Sequence, residues 1–131
     1  MEQRIREIYN CEKIEGNDPL VQWYNAVIEK RVDELTISDV ARCIRQNIFI
    51  ESAYEVLLAY LLQNPYEGDV YEGELMDKAG KVDKNIIIKY KETILEIINI
   101  AQEFIKTYDW ICEEDKEEYT DAVNRLALIV K

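Results

Sequence analysis

The chain has 131 residues, nearly half of them apolar (48%) with only four glycines and two prolines, so it can bury a core without disulfides or metal and is not of disordered composition. A formal net charge of −11 argues against nucleic acid and against an anionic membrane surface as partners, and leaves plain solubility or a basic partner. The absence of histidine removes the commonest general acid–base and zinc chemistry.

Taken in order, the pattern is helical nearly throughout. Ile5, Ile8, Tyr9 and Glu12 recur at i, i+3, i+4 and i+7 and predict a short first helix, which Gly16-Asn17 breaks. Asp18 before Pro19 is an N-cap followed by proline at the first helical position, and the helix it starts, with Leu20, Trp23, Tyr24, Val27 and Ile28 on one face, is expected to end near Val32. Thr36 and Asp39 form a capping-box arrangement for a helix to about Gln46 or Asn47. A further helix carries Ala53, Tyr54, Leu57, Leu58 and Leu61 and stops before Pro65, because a residue preceding proline disfavours the α region. Leu75, Met76 and Ala79 suggest a short helix ended by Gly80. Asp83 would cap the longest and most buried element, Lys84 to Tyr108, and a last helix would run from about Glu114 to Val130, burying Tyr119, Ala122, Val123, Leu126 and Ile129. The expectation is an all-α fold, a single compact domain of six to seven helices.

The N-terminal MEQRIREIYN has no apolar run of signal-peptide type, and no apolar span of about 20 residues is present. Cys11, Cys43 and Cys112 are odd in number and far apart, which fits reduced thiols rather than a disulfide framework. A soluble, cytoplasmic protein is expected.

Three constellations invite a chemical reading. The first is the acidic segment between Asn64 and Asp77, where Glu67, Asp69, Glu72, Glu74 and Asp77 are interleaved with Tyr66 and Tyr71. It does not follow the 12-residue EF-hand register, and carboxylates so close in sequence do not make a glycosidase pair. It reads either as a solvated turn or as a docking surface in which carboxylates meet a basic cleft and tyrosines serve as anchors. The second is Arg42 with Gln46, an i, i+4 pair with Arg45 alongside; a structural role is expected, with Arg42 bound to a carboxylate of the acidic segment, over the alternative of a catalytic arginine finger, since no Gly-rich loop is present to cradle phosphate. The third, the run EEDKEE at 113–118, reads as a solvated helix start and also as a second acidic patch. No residue is assigned to catalysis, to a cofactor or to a metal.

The run LTxxDxxRxxRQxIF, carried by Leu35, Thr36, Asp39, Arg42, Arg45, Gln46, Ile48 and Phe49, resembles the central block of the immunity proteins of contact-dependent growth inhibition (CDI) systems. The resemblance continues through Leu62-Gln63-Asn64-Pro65 and YEGDVYEGEL, about a third of the chain. It implies an all-helical cytosolic protein without enzymatic activity that binds and neutralises one toxin C-terminal domain, often a nuclease, by occluding its active site or substrate cleft. On that reading Tyr66, Glu67, Asp69, Tyr71, Glu72 and Glu74 are candidates for toxin binding, and Thr36, Asp39, Arg42 and Gln46 are scaffold. The competing reading is an acidic helical adaptor or regulatory protein that binds another basic protein. Neither reading specifies the oligomeric state.

Overall fold

A computed structural model describes residues 3–131. Eight α-helices account for the secondary structure among these residues, with one 3₁₀ turn at Val32–Glu34 and a single isolated antiparallel bridge, Arg4 to Arg31. They are α1 (Ile5–Ile8), α2 (Pro19–Val27), α3 (Ile37–Gln46), α4 (Ile50–Gln63), α5 (Glu74–Ala79), α6 (Lys84–Lys89), α7 (Lys91–Thr107) and α8 (Glu113–Val130). The fold is all-α. Contacts divide the chain into two compact units, Met1–Val56 and Leu57–Lys131, with the division falling inside α4.

In the first unit α1 is a single turn. Asn10 takes a left-handed conformation (φ 50°), which stops the helix before Glu12. The segment is tethered by backbone bonds from Ile5 N–H to the Lys30 carbonyl (2.8 Å) and from Arg6 N–H to the Ile28 carbonyl (2.9 Å). Those bonds use the carbonyls that follow α2, and α2 accordingly ends at Val27 rather than near Val32. Its start is as expected: the Asp18 carboxylate accepts from Leu20 N–H at 2.8 Å and Pro19 occupies the first turn. The α3 helix ends in a Schellman motif. Asn47 is left-handed (φ 58°, ψ 43°), its N–H reaches the Ile44 carbonyl, and Ile48 N–H reaches the Cys43 carbonyl at 3.0 Å. Ile5, Val27, Ile28, Leu35, Val40 and Tyr54 are fully buried, and each large apolar side chain so removed from water contributes about 1.5–3 kcal/mol.

In the second unit α8 packs against α5, α6 and α7. This three-sided packing makes α8, not the Lys84–Tyr108 segment, the element with the widest buried face: Tyr119, Ala122, Val123, Leu126, Ala127 and Val130 are buried, while Ile129 is half-buried. The Lys84–Tyr108 segment is not one helix. Tyr90 leaves helical geometry (φ −110°, ψ 25°) and separates α6 from α7, and Ile88, in the last turn of α6, is 54% exposed. That break raises the count among the described residues to eight, above the six or seven helices expected. Ile87, Ile94, Ile97, Ile98 and Ala101 keep the predicted buried stripe. No helix among the described residues is long and apolar enough to cross a membrane.

Candidate functional site

The four residues read as scaffold lie in the first unit. Thr36 Oγ1 accepts from Asp39 N–H at 3.0 Å and Asp39 Oδ2 accepts from Thr36 N–H at 3.1 Å, the reciprocal capping box. Asp39 does more than cap. It is 6% exposed, its Oδ1 accepts from the Trp23 indole N–H at 3.0 Å, and its Oδ2 accepts from Lys30 Nζ at 2.5 Å. Burial alone would raise its carboxyl, but the Lys30, Thr36 and Trp23 donors outweigh that and hold it below the usual carboxylate value. Arg42 has an aromatic partner instead of the carboxylate anticipated: its guanidinium stands over the Trp23 ring, 5.4 Å from the centroid. Gln46 is exposed at the last turn of α3.

The acidic segment lies in the second unit and is built around Glu74. This carboxylate is 3% exposed, and its Oε1 accepts from the backbone N–H groups of Asp69 (2.9 Å) and Val70 (2.8 Å), with Lys78 Nζ 3.8 Å from Oε2. Glu74 is therefore the staple that closes the loop. Glu67 is used in the same way, accepting from the Asn64 side chain and from Gly68 N–H, each at 3.3 Å. Gly68 and Gly73 make the closure possible. A Cβ on Gly68 would stand 1.8 Å from the Tyr71 carbonyl oxygen, and Gly73 takes φ +86° with the Tyr66 ring 3.0 Å from where a Cβ would sit. Asp69 is exposed and donates only its backbone N–H to this network.

Tyr66, Tyr71 and Glu72 are turned to another purpose. With Gly73 and Asp77 they form one wall of a groove of about 680 Å³, and Asp115, Glu118, Tyr119, Asp121, Ala122 and Arg125 of α8 form the other. The packing of α5 on α8 thus joins the acidic loop to the acidic start of α8, two segments some forty residues apart in sequence. Five carboxylates line the groove, and Arg125 is the one cation among its described lining residues. Arg125 is bound to Asp77 (3.2 Å), which also accepts from Lys81 at 3.0 Å and from the Tyr71 hydroxyl at 3.3 Å. Burial opposes ionisation of Asp77, yet Lys81, Arg125 and Tyr71 together hold its carboxyl below the usual range. The floor is aromatic. The Tyr66 ring centroid is 5.2 Å from each of Phe104, Trp110 and Tyr119, and the Tyr119 hydroxyl donates to the Pro65 carbonyl. Burial raises Tyr66, and the nearby Asp115 and Glu72 raise it further; burial followed by Asp77 does the same to Tyr71. Both phenols are thereby kept neutral, and that of Tyr71 donates to Asp77.

The sequence singles out Tyr66, Tyr71 and Glu72 and, separately, the 113–118 run; the structure brings them to the walls of one groove. Asp121 and Arg125 carried no local signal of their own, since one turn of an amphipathic helix looks like another. Among the described residues no group of three or more Cys, Asp or Glu is arranged to hold a metal ion.

A protein-family model described as CDI immunity proteins matches residues 5–97. The chain belongs to this family. The matched stretch contains the α3 capping box, the stapled loop and so one wall of the groove in this immunity-family protein, and it ends before α8 begins. Comparison with curated proteins gives no match.

Proposed function

We propose that this protein binds the C-terminal toxin domain of a cognate CDI effector one to one, in the cytoplasm, and silences it by covering its active site or substrate cleft, with no catalysis of its own. The observation that carries the reading is the acidic groove between the 66–77 segment and α8. A nuclease must present lysine and arginine to phosphates, so its cleft is basic, and an acidic, tyrosine-lined surface complements it. Like-charge repulsion would also keep nucleic acid away from the immunity protein itself. The family membership supports the immunity role, and the groove supports a basic target such as a nuclease.

The test is co-expression with the toxin domain encoded beside it. Wild-type protein is expected to restore growth and to co-purify with that domain. A variant with Glu72→Lys, Asp115→Lys, Glu118→Lys and Asp121→Lys is expected to fold and to lose protection. Full protection by this variant would remove the groove as the docking face. Co-purification with a regulator in place of a toxin would favour the acidic-adaptor reading.

A further inference from the structure

The groove already holds a guanidinium of its own. Arg125 Nη1 rests 3.2 Å from Asp77 Oδ1, while the other oxygen of that carboxylate accepts from the Tyr71 hydroxyl. At this end of the groove one carboxylate thus takes a guanidinium on one oxygen and a tyrosine hydroxyl, with Lys81 Nζ at 3.0 Å, on the other. Carboxylates and tyrosines share the lining of the remainder as well, where no cation stands among the described residues. Glu72 and Asp115 stand near enough to Tyr66 to oppose its ionisation, and Glu118 does so to Tyr71. Among the described residues none of Glu72, Asp115 and Glu118 is in an ion pair, in contrast to Asp77.

What would fill this space follows from its size and chemistry. The carboxylates do not converge on a point where a metal ion could be held, and a volume of about 680 Å³ is suited to side chains rather than to an ion. Tyrosine rings beside separated carboxylates accept a long side chain whose stem lies on the rings and whose planar head reaches the acids. Arginine satisfies this better than lysine, because its guanidinium stacks on aromatic faces and forks to carboxylates. Val70, 75% exposed beside Tyr71, adds an apolar lip against which the neighbouring residue of a partner would pack.

We propose that the groove between the 66–77 segment and α8 is a socket for an arginine side chain of the basic protein partner, held on Tyr66 and Tyr71 and by Glu72, Asp115 and Glu118. The proposal rests on the reading that the partner is a basic protein, and it identifies the anchor.

The probe is the peptide acetyl-Gly-Arg-Gly-amide, titrated at low salt against the full chain with NMR detection of the tyrosine rings; its lysine counterpart is the comparison. Expected are shifts confined to Tyr66, Tyr71 and Tyr119, several-fold weaker binding of the lysine peptide, and about tenfold weaker arginine binding when Glu72→Gln, Asp115→Asn and Glu118→Gln are combined, since three partly exposed charge pairs are lost together. Tyr71→Ala should weaken binding and Tyr71→Phe should retain it, because the ring and not the hydroxyl carries the stem. Shifts spread over the whole acidic surface, equal binding of the two peptides, or binding unchanged in the triple variant would each overturn the proposal. The titration needs no toxin, so its failure leaves the co-expression result standing, and a failure of co-expression leaves the peptide result standing.

Discussion

Asp39 receives donors from Lys30, Thr36 and Trp23, and that ties the stability of its surroundings to pH. Its folded-state carboxyl lies below the ordinary value of 3.8 because Lys30, Thr36 and Trp23 outweigh its burial. A lowered folded-state value means stability that is complete above the unfolded-state range and drains away as pH falls through about 4 toward the folded value. Asp39→Asn keeps an acceptor for the indole and loses the charge. Urea unfolding is expected to show the variant less stable by about 1–3 kcal/mol at pH 7, with the gap narrowing below about pH 4. A gap constant across that range would mean that the charge contributes nothing. Cys43 is a second residue whose surroundings decide its chemistry. It is fully buried, and burial followed by the charge of Asp39 pushes its thiol up to about 12. Cys11 and Cys112 are only half-buried. At pH 8 a thiol reagent is expected to modify those two in the native protein and to reach Cys43 only after denaturation, because thiolate and access are both needed. Equal rates for all three would show that the core around α3 opens readily.

At the scale of elements, the loop before α5 is held by atoms rather than by length. Gly68 lets the chain pass under the Tyr71 carbonyl, and Glu74 gathers the Asp69 and Val70 amides. Gly68→Ala would force a methyl group to within 1.8 Å of a backbone oxygen, so the loop must open. The expected cost is about 1–3 kcal/mol in urea unfolding, accompanied by loss of the arginine-peptide shift at Tyr71. Gly80→Ala is the control: its nearest neighbours stand 3.7 Å away, and a change within about 0.5 kcal/mol is expected. These elements also mark what the sequence discloses. The start of α3 was legible because Thr36 and Asp39 signal to each other three residues apart, and the end of α4 because Pro65 forbids continuation. The break at Tyr90 was not, since neither glycine nor proline stands there and the isoleucine spacing continues through it. Glu74 is indistinguishable from its acidic neighbours in the sequence, because composition cannot tell a carboxylate that faces solvent from one that faces two amides. The groove was legible only as two separate acidic runs; the packing of α5 against α8, set by apolar residues elsewhere, is what brings them together.

For the molecule as a whole, a net charge of −11 attracts any basic partner, and the local groove must be separated from that general field. Two fourfold reversals make the separation. The first replaces Glu72, Asp115, Glu118 and Asp121 of the groove by lysine; the second replaces Glu12, Glu55, Glu92 and Glu96, exposed acids outside the groove lining, and changes the net charge by the same amount. Steering acts over about a Debye length, so at low salt both variants should capture the toxin domain more slowly than wild type. Near 0.15 M salt, where that length shrinks to about 8 Å, the second variant should recover most of its association rate, since its altered charges are screened from the interface. The first should remain slow and should also dissociate at least about tenfold faster, because charge pairs inside the contact act on release as well as on encounter. Stopped-flow association and surface-based dissociation at two salt concentrations measure both. Identical behaviour of the two variants would mean that the acidity of this chain acts as a diffuse field and that the groove has no part in holding the partner.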